Sequence, residues 1–428
     1  MSLQLGVNVQ KITPEIGGHL YGYDPILCSK SLHDDLTATA FYLTDGDSRC
    51  IMISATVCLI QTALADTIRD RIEAETGISR ANIIINATHT HSGPNVSGDT
   101  GWGDIDKEYC DTVFIPQLVE AAKSAVKDTR TVTVGIASGD SLVGINRREF
   151  NDNNSIGLGQ CPWGCFNPKM TVISFKDEKG DIVANMIHYG AHGTAAGYCD
   201  QISRDWSGIM TDALTAVTGG VTAFFNGPEG DVGPRLSNGQ TVGNMDYVHE
   251  LGNKATEDAI RVYRMIDKFT DMPLSCHEGM IAIPLRQRIS LDEAEKQLRR
   301  YENETVNIAA QKAKYYRSVV ESYSNGYEES EALEIPQCVV KLGETVFVTF
   351  PYEVFSEVGL RLQKMSDYKN VLSLAVTNGS GGYFVTEDQI CLGGYEIDMY
   401  ETSKVQRYAK HADYHMILET LKNIGGKD

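Results

Sequence analysis

The chain has 428 residues, of which 42% are hydrophobic and 22% are charged, and its formal net charge is -19. These proportions are ordinary for a globular protein. The excess of acids repels nucleic acids and anionic membranes, so we expect neither as the main partner. No apolar run reaches the ~20 residues of a transmembrane helix. The N-terminus lacks the cationic start and apolar core of a secretory signal, so we expect a cytoplasmic protein of undetermined oligomeric state.

Short apolar runs typical of strands alternate with helical periods along the first half of the chain. This alternation predicts an α/β fold with a mixed β-sheet core and flanking helices. The strand-like runs are Thr39–Leu43, Cys50–Ser54, Asn82–Asn86, Val132–Ala137, Met170–Phe175, Ile182–Ile187 and Thr222–Phe225, and helical periods occupy Gln61–Glu75 and Tyr109–Val126.

A long polar helical insertion, at about 288–330, interrupts this pattern. Its helical part, Leu291 to about Ser322, has three open interpretations: a solvated helix face, an extended hairpin or an oligomer contact. After it the sequence predicts a hairpin with Gly343 at the turn, a helix over Val354–Met365, another strand and a closing helix. No repeat or low-complexity linker marks a boundary, so we expect a single catalytic domain over residues 1–428.

Two histidines occupy alternate positions in "NATHTHSGPN", directly after a strand-like run. If the extended conformation continued through Thr90, His89 and His91 would share one face of the strand. Three further segments place a metal-capable or acidic side chain just after an apolar strand. These side chains are His192, then Asn226, Glu229 and Asp231 in a glycine-rich loop, and Glu353 at the start of a helix.

Imidazole nitrogen and carboxylate oxygen are natural ligands of zinc, and a catalytic zinc needs three or four protein ligands and one open position. Each candidate also has an ordinary explanation. His188 could be a core or supporting group, Glu353 suits a helix N-terminus, and the glycine-rich loop could be only a tight turn. The residues alone therefore indicate a metal-dependent hydrolase without fixing its ligands.

Seven motifs follow one another along the chain: "THTHSGP", "AHGT", "SRDWSG", "NGPEGDVGPR", "FPYEVFSEVGLRL", "TNGSGGYFVT" and "GGYE". In order and approximate spacing this series, together with the opening "ITPEIGGHLYGY", resembles the catalytic domain of the neutral/alkaline ceramidase family, from Thr13 to about Glu396. The resemblance implies hydrolysis of the amide bond of N-acylsphingosine with one zinc ion per chain. It also implies a lipid or small-molecule amide as the substrate.

The resemblance assigns roles to individual residues. It makes His89, His192, Glu353 and Tyr383 the zinc ligands. It makes His91 the group that takes a proton from water activated by the metal, Tyr395 a donor to the developing oxyanion, and Arg147 part of the pocket wall. The residues assigned to the substrate side and its loops are Asn226, Glu229, Asp231, Gly233, Arg235 and Asp205.

Several positions depart from the family pattern. Gly233 stands where the family has a serine, so hydrolysis here must use water. Arg235 replaces an asparagine and would favour an anionic substrate, and Thr56 stands where an acid is common. The family's C-terminal immunoglobulin-like domain and secretion signal are expected to be absent.

Alternatives remain open on the sequence. The substrate is ceramide or a smaller N-acyl amide, because no amphipathic membrane-anchoring helix is evident. The chain could also be a non-catalytic relative that binds zinc or a ligand. A third possibility is a metal-dependent phosphoesterase, which needs clustered carboxylates around two ions. Asp205, Glu229, Asp231 and Glu353 could supply them, and Asp231 could hold a second, structural cation.

Overall fold

Strands and helices alternate along most of the chain in a computed structural model that describes residues 2–99, 101–304 and 307–425. The strands are β1 (Gln4–Lys11), β2 (Ser31–Leu32), β3 (Thr37–Thr44), β4 (Arg49–Ala55), β5 (Ile83–Ala87), β6 (Thr129–Asp140), β7 (Gly144–Asn146), β8 (Arg148–Phe150), β9 (Ile156–Leu158), β10 (Lys169–Asp177), β11 (Ile182–Tyr189), β12 (Gln201–Ile202), β13 (Val221–Asn226), β14 (Val232–Pro234), β15 (Leu274–Pro284), β16 (Ala332–Leu342), β17 (Thr345–Thr349), β18 (Glu353–Val354), β19 (Asn370–Leu374) and β20 (Tyr383–Phe384).

The helices fall between these strands and in the last third of the chain. They are α1 (Thr62–Thr76), α2 (Lys107–Tyr109), α3 (Ile115–Lys127), α4 (Asp205–Thr218), α5 (Met245–Arg264), α6 (Leu291–Tyr301), α7 (Asn307–Ser322), α8 (Ser356–Met365), α9 (Glu387–Ile390), α10 (Tyr395–Glu401) and α11 (Ala412–Asn423). None of the helices within the described ranges is long and apolar enough to cross a bilayer.

Two β-sheets form the centre of the fold. Among the described residues the larger sheet has eight strands in the order β13-β11-β10-β6-β1-β3-β4-β5, and the smaller has the order β15-β16-β17-β19. Most neighbours are antiparallel, whereas β4–β5, β11–β13 and β17–β19 are parallel. The predicted mixed α/β sheet is therefore confirmed.

The two sheets pack against each other through one hydrophobic cluster. Phe41, Phe175 and Phe225 of the larger sheet meet Val340 and Phe347 of the smaller one in this cluster. Full burial of each such side chain contributes roughly 1.5–3 kcal/mol, so this interface is a main source of stability. Helices α1, α3, α4 and α5 cover the other face of the larger sheet, and α8 and α11 cover the smaller one, which gives four layers.

The larger sheet curls until its two edge strands, β5 and β13, touch at one end. The backbone N–H of Asn226 donates to Oδ1 of Asn86 over 2.8 Å, and Nδ2 of Asn86 donates to the Asn226 carbonyl over 3.3 Å. All strands in a sheet twist with one hand, and here the twist and coiling accumulate over eight strands. The segments after β5, β11 and β13 are thereby brought to one place.

The predicted elements exist, with one irregularity inside a helix and one wrong boundary. The helical period over Tyr109–Val126 is broken by a π-helical turn at Cys110–Phe114, just before Pro116 at the start of α3. Proline has no N–H for an i→i−4 bond, so the preceding turn widens. The helix expected to start at Val354 begins at Ser356, because Glu353 and Val354 instead pair with β20. The hairpin with Gly343 at its turn is confirmed.

The polar insertion is a helical hairpin made of α6 and α7, with residues 305–306 between them outside the described part. The rings of Tyr301 and Tyr316 stack with centroids 5.7 Å apart and hold the two helices together. Lys312 pairs with Asp398 of α10 at 2.8 Å, so the hairpin is also anchored to the body of the fold. Of the three interpretations, the hairpin is the one that the structure shows.

Candidate metal centre

Three buried side chains converge where the curled sheet closes. His89 follows β5, His192 follows β11, and Glu353 lies in β18; one ligand atom from each lies within 4.8 Å of the others. Nε2 of His192 is 3.2 Å from Oε2 of Glu353, and Nε2 of His89 is 3.5 Å from the same oxygen. The structure thus brings together three of the four side chains assigned to zinc by resemblance.

Both imidazoles are oriented by backbone carbonyls. Nδ1 of His89 lies 3.0 Å from the carbonyl oxygen of Cys58, and Nδ1 of His192 lies 3.0 Å from that of Glu229. Donation from Nδ1 leaves the lone pair on Nε2, which is the arrangement found in metal-ligating histidines.

Two polar atoms in this group have no hydrogen-bond partner. Nε2 of His192 and Oε2 of Glu353 are fully buried, and neither atom forms a hydrogen bond, although the two atoms lie close to each other. Buried polar atoms are almost always satisfied in folded proteins, so two unsatisfied atoms aimed at one point fit a bound cation. Two nitrogens and one carboxylate oxygen are a ligand set suited to zinc.

The protonation states also suit a metal. Burial lowers the pKa of His192 to about 3, which keeps its imidazole neutral. Burial alone would raise the pKa of Glu353, but the adjacent imidazoles of His89 and His192 outweigh it and hold that pKa well below its ordinary value. Metal ligands must be deprotonated, and both groups meet that condition.

The backbone around His89 differs from the expected extension of the strand. Strand β5 ends at Ala87, and His89 adopts a left-handed conformation with φ of 66°. The expectation that His89 and His91 share one face of an extended strand was therefore wrong. The turn nevertheless places their Nε2 atoms 3.4 Å apart, with Nδ1 of His91 3.2 Å from the Gly22 carbonyl oxygen.

Glu353 and Tyr383 are direct partners in a small parallel pair of strands, β18 and β20. Arg147 donates from a terminal nitrogen to the Tyr383 hydroxyl over 2.9 Å and from Nε to Glu396 over 2.9 Å. Burial raises the pKa of Tyr383, and the Arg147 guanidinium opposes that shift. The ring of Tyr395 lies 5.7 Å from that of Tyr383. Arg147 thus lies behind Tyr383 rather than forming the expected pocket wall.

The glycine-rich loop supports the centre through its backbone and its acids. Asp231 accepts hydrogen bonds from the Ser356 N–H at 2.7 Å and from Asn146 Nδ2 at 3.2 Å. Asn226 accepts from the Ala191 N–H and so ties β13 to the segment that carries His192. Both carboxylate oxygens of Glu229 are buried without a partner, and burial raises its pKa well above the ordinary value.

The remaining loop residues lie away from the ligands. Gly233 pairs with Ile145 in the β14–β7 ladder, and Arg235 donates to the Gly144 carbonyl. Asp205, at the start of α4, accepts from the backbone N–H groups of Ala195 and Ala196. Asp205, Glu229 and Asp231 do not join Glu353 in a metal-capable group among the described residues. The carboxylate cluster that a two-ion phosphoesterase requires is therefore not formed.

A cavity of about 340 Å³ opens onto the centre. A larger cavity of about 590 Å³ lies elsewhere and contains none of the predicted site residues, so the smaller one is the relevant pocket. No sequence pattern marked several of its lining residues, because they come from distant segments. Those residues are Tyr21, Asp99, Gln311, Lys314, Ser380 and Lys404, while Cys58 stands directly after a strand and could have been suspected.

Comparison with known proteins places these observations in a family. The sequence model of "Neutral/alkaline non-lysosomal ceramidase, N-terminal" matches residues 3–246. The chain belongs to this ceramidase family. The match includes His89, His91, Arg147 and His192, whereas Glu353 and Tyr383 lie beyond it and are placed by the structure.

Relatives and solved structures agree with this assignment. The chain is 27% identical over 259 residues to neutral ceramidase A of Dictyostelium discoideum, which covers 54% of this chain and 36% of the relative. Neutral ceramidase B of the same organism is 27% identical over 257 residues with the same coverage. The matched region thus spans little more than a third of each relative.

The fold of this ceramidase family member resembles known structures over its whole length. A crystal structure of neutral ceramidase from Pseudomonas aeruginosa has a TM-score of 0.76 at 17% identity and covers 100% of this chain and 75% of its own. A ceramidase complexed with C2 has a TM-score of 0.72 at 16% identity, covering 98% and 73%. At such identities the likeness establishes the fold.

Proposed function

We propose that this chain is a zinc-dependent hydrolase that cleaves the amide bond of an N-acyl amide, either ceramide or a smaller molecule. One observation carries the proposal: the buried ligand atoms of His89, His192 and Glu353 converge, and two of them lack any hydrogen-bond partner. The names of the relatives, neutral ceramidases, support amide hydrolysis. The hydrophobic cluster shared by both sheets supports a single catalytic domain.

Tyr383 completes the proposed ligand set. Its register with Glu353 in the β18–β20 pair places both side chains on the same side of that pair, and both line the same pocket. Arg147, next to the phenol, favours its ionised form, and this is the form that would bind a cation. When bound, zinc supplies Lewis-acid polarisation of the substrate carbonyl and activation of water.

The other pocket residues handle protons and charge. His91 would accept a proton at Nε2, since its Nδ1 is held at the Gly22 carbonyl, and would return it to the leaving nitrogen. Tyr395 lines the same pocket and would donate to the carbonyl oxygen as negative charge develops there. Gly233 has no hydroxyl and cannot form an acyl-enzyme, which leaves water as the nucleophile.

The test combines metal content with hydrolysis. Elemental analysis of the wild type is compared with His192→Ala and Glu353→Gln, and with His415→Ala as an exposed histidine control. Each protein is also given ceramide and a short-chain N-acyl amide. We expect about one zinc per chain in the wild type and control, loss of zinc in both site variants, and hydrolysis only where zinc is retained.

Three results would contradict the proposal. Absence of zinc from wild-type protein supplied with zinc would show that the histidines are structural. Full zinc occupancy in His192→Ala would show that the metal lies elsewhere. Full occupancy of the wild type without turnover of either amide would favour the non-catalytic relative, a protein that binds zinc or a ligand.

A further inference from the structure

A lysine side chain lines the same pocket as the proposed metal ligands. Lys404 lies after α10, and it borders the cavity of about 340 Å³ together with His91, Tyr383 and Glu353. It also borders a neighbouring cavity of about 480 Å³, so the residue forms part of the wall of both spaces.

The surroundings of Lys404 hold its ammonium without neutralising it. Nζ lies 4.8 Å from the ring centroid of Tyr408 and 5.8 Å from that of Tyr352, as in cation–π contacts. Within the described ranges no carboxylate lies within ion-pair distance of Nζ. Burial lowers the pKa of Lys404 to about 8, so the side chain is mainly protonated at pH 7.

The carboxylates that line the pocket are already engaged. Glu353 belongs to the metal centre, and Asp99 accepts hydrogen bonds from the Tyr21 and Ser97 hydroxyls. A buried or half-buried cation is stabilised by an anion in its vicinity, and the described protein supplies none for Lys404. The remaining candidate is an anion that enters with the substrate.

The size and lining of the pocket limit that substrate. Small-molecule sites measure about 300–1,000 Å³, so a cavity of about 340 Å³ is at the small end of this range. Gln311, Ser380 and Ser403 also line the wall, so much of the surface is polar rather than suited to two hydrocarbon chains. The pocket next to the metal centre therefore accommodates a short polar molecule.

We propose that the substrate is a short N-acyl amide that carries a carboxylate, and that the ammonium of Lys404 pairs with this carboxylate. The inference rests on the proposed amide hydrolysis and specifies its substrate class. Water adds to the amide carbon and forms the new C–O bond, the C–N bond then breaks, and a proton from the added water passes to the leaving amine. The carboxylate could belong to the amine part, as in an N-acyl amino acid, or to the acyl part.

The experiment compares three probes of similar size on zinc-loaded enzyme. N-butanoylglycine carries the carboxylate on the amine side, N-propylsuccinamic acid carries it on the acyl side, and N-butanoylglycine amide is neutral. The variants are Lys404→Met and, as a matched control, Lys410→Met at an exposed lysine of the same segment. The measured quantity is kcat/KM for each probe.

We expect the wild type to prefer one of the two anionic probes over the neutral one. Lys404→Met should lower kcat/KM for that probe about 10- to 100-fold, the range for losing a hydrogen bond to a charged group. The neutral probe should change by less than about threefold, and Lys410→Met should match the wild type. The preferred anionic probe shows whether the substrate bears its carboxylate on the amine part or on the acyl part.

The possible failures are distinguishable. Hydrolysis of the neutral probe as fast as both anionic probes would overturn the carboxylate while leaving amide hydrolysis standing. An equal loss for all probes in Lys404→Met would show a purely structural lysine and would also overturn the inference. No hydrolysis of any probe or of ceramide would overturn the proposed function and this inference together.

Discussion

Replacing Asp231 should loosen the segment that carries Glu353. Asp231 lies in the glycine-rich loop, and its carboxylate accepts from the Ser356 N–H at 2.7 Å, the Ser356 hydroxyl at 3.2 Å and Asn146 Nδ2 at 3.2 Å. Ser356 is the first residue of α8 and lies three positions after Glu353. Asp231 thus caps α8 from a neighbouring loop.

The loss of stability in Asp231→Ala follows from the hydrogen-bond donors that would no longer have an acceptor. The Ser356 hydroxyl can still donate to the Cys165 carbonyl, but the Ser356 N–H and one Asn146 N–H lose their acceptor. Each buried unsatisfied donor costs about 1–3 kcal/mol, so we expect a loss of about 2–6 kcal/mol in the free energy of unfolding. This is a large part of a typical total of about 5–15 kcal/mol. Asp231→Asn should lose less, because its amide oxygen can still accept from Ser356.

The assay is denaturant unfolding combined with zinc titration. Replacing a residue that holds a metal ligand in position typically weakens metal affinity about 10- to 100-fold, and we expect Asp231→Ala to fall in that range. Asp181→Ala, at an exposed carboxylate, is the control and should match the wild type. Wild-type stability and wild-type zinc affinity in Asp231→Ala would refute the view that this carboxylate positions Glu353.

Three further predictions concern the pocket and its loop. His91→Ala should lower the rate about 10²- to 10⁴-fold with zinc content unchanged; a parallel loss of zinc would make His91 a ligand instead. Gly233→Ser should lower the free energy of unfolding by about 1–3 kcal/mol, because a Cβ there would lie 2.6 Å from Cβ of Thr241. A double-mutant cycle with Thr241→Gly should therefore show coupling between the two positions. Additive effects on the free energy of unfolding would contradict this explanation. Burial lowers the pKa of Lys404 to about 8, so its cation is present below that pH and lost above it. KM for the anionic amide should therefore rise above pH 8, while KM for the neutral amide should not. A parallel rise for both amides would refute the pairing of Lys404 with the substrate carboxylate.

The sequence by itself determined the local elements and the chemical candidates. Periodicity located most strands and helices because alternating or continuous apolar runs report burial directly. It also marked His89, His192 and Glu353, because each metal-capable side chain follows an apolar strand. The order of motifs then identified the family, which the match to residues 3–246 confirmed.

Only the tertiary structure decided how these residues meet. The curl of the eight-stranded sheet joins β5 to β13, and no local pattern encodes a contact between segments so far apart in the chain. The left-handed turn at His89 was missed because φ above zero is uncommon for a residue other than glycine. Lys404 was also missed as a pocket residue. Its neighbours in sequence reveal nothing of the metal centre, and the packing of distant elements alone brings this residue to the wall of the pocket.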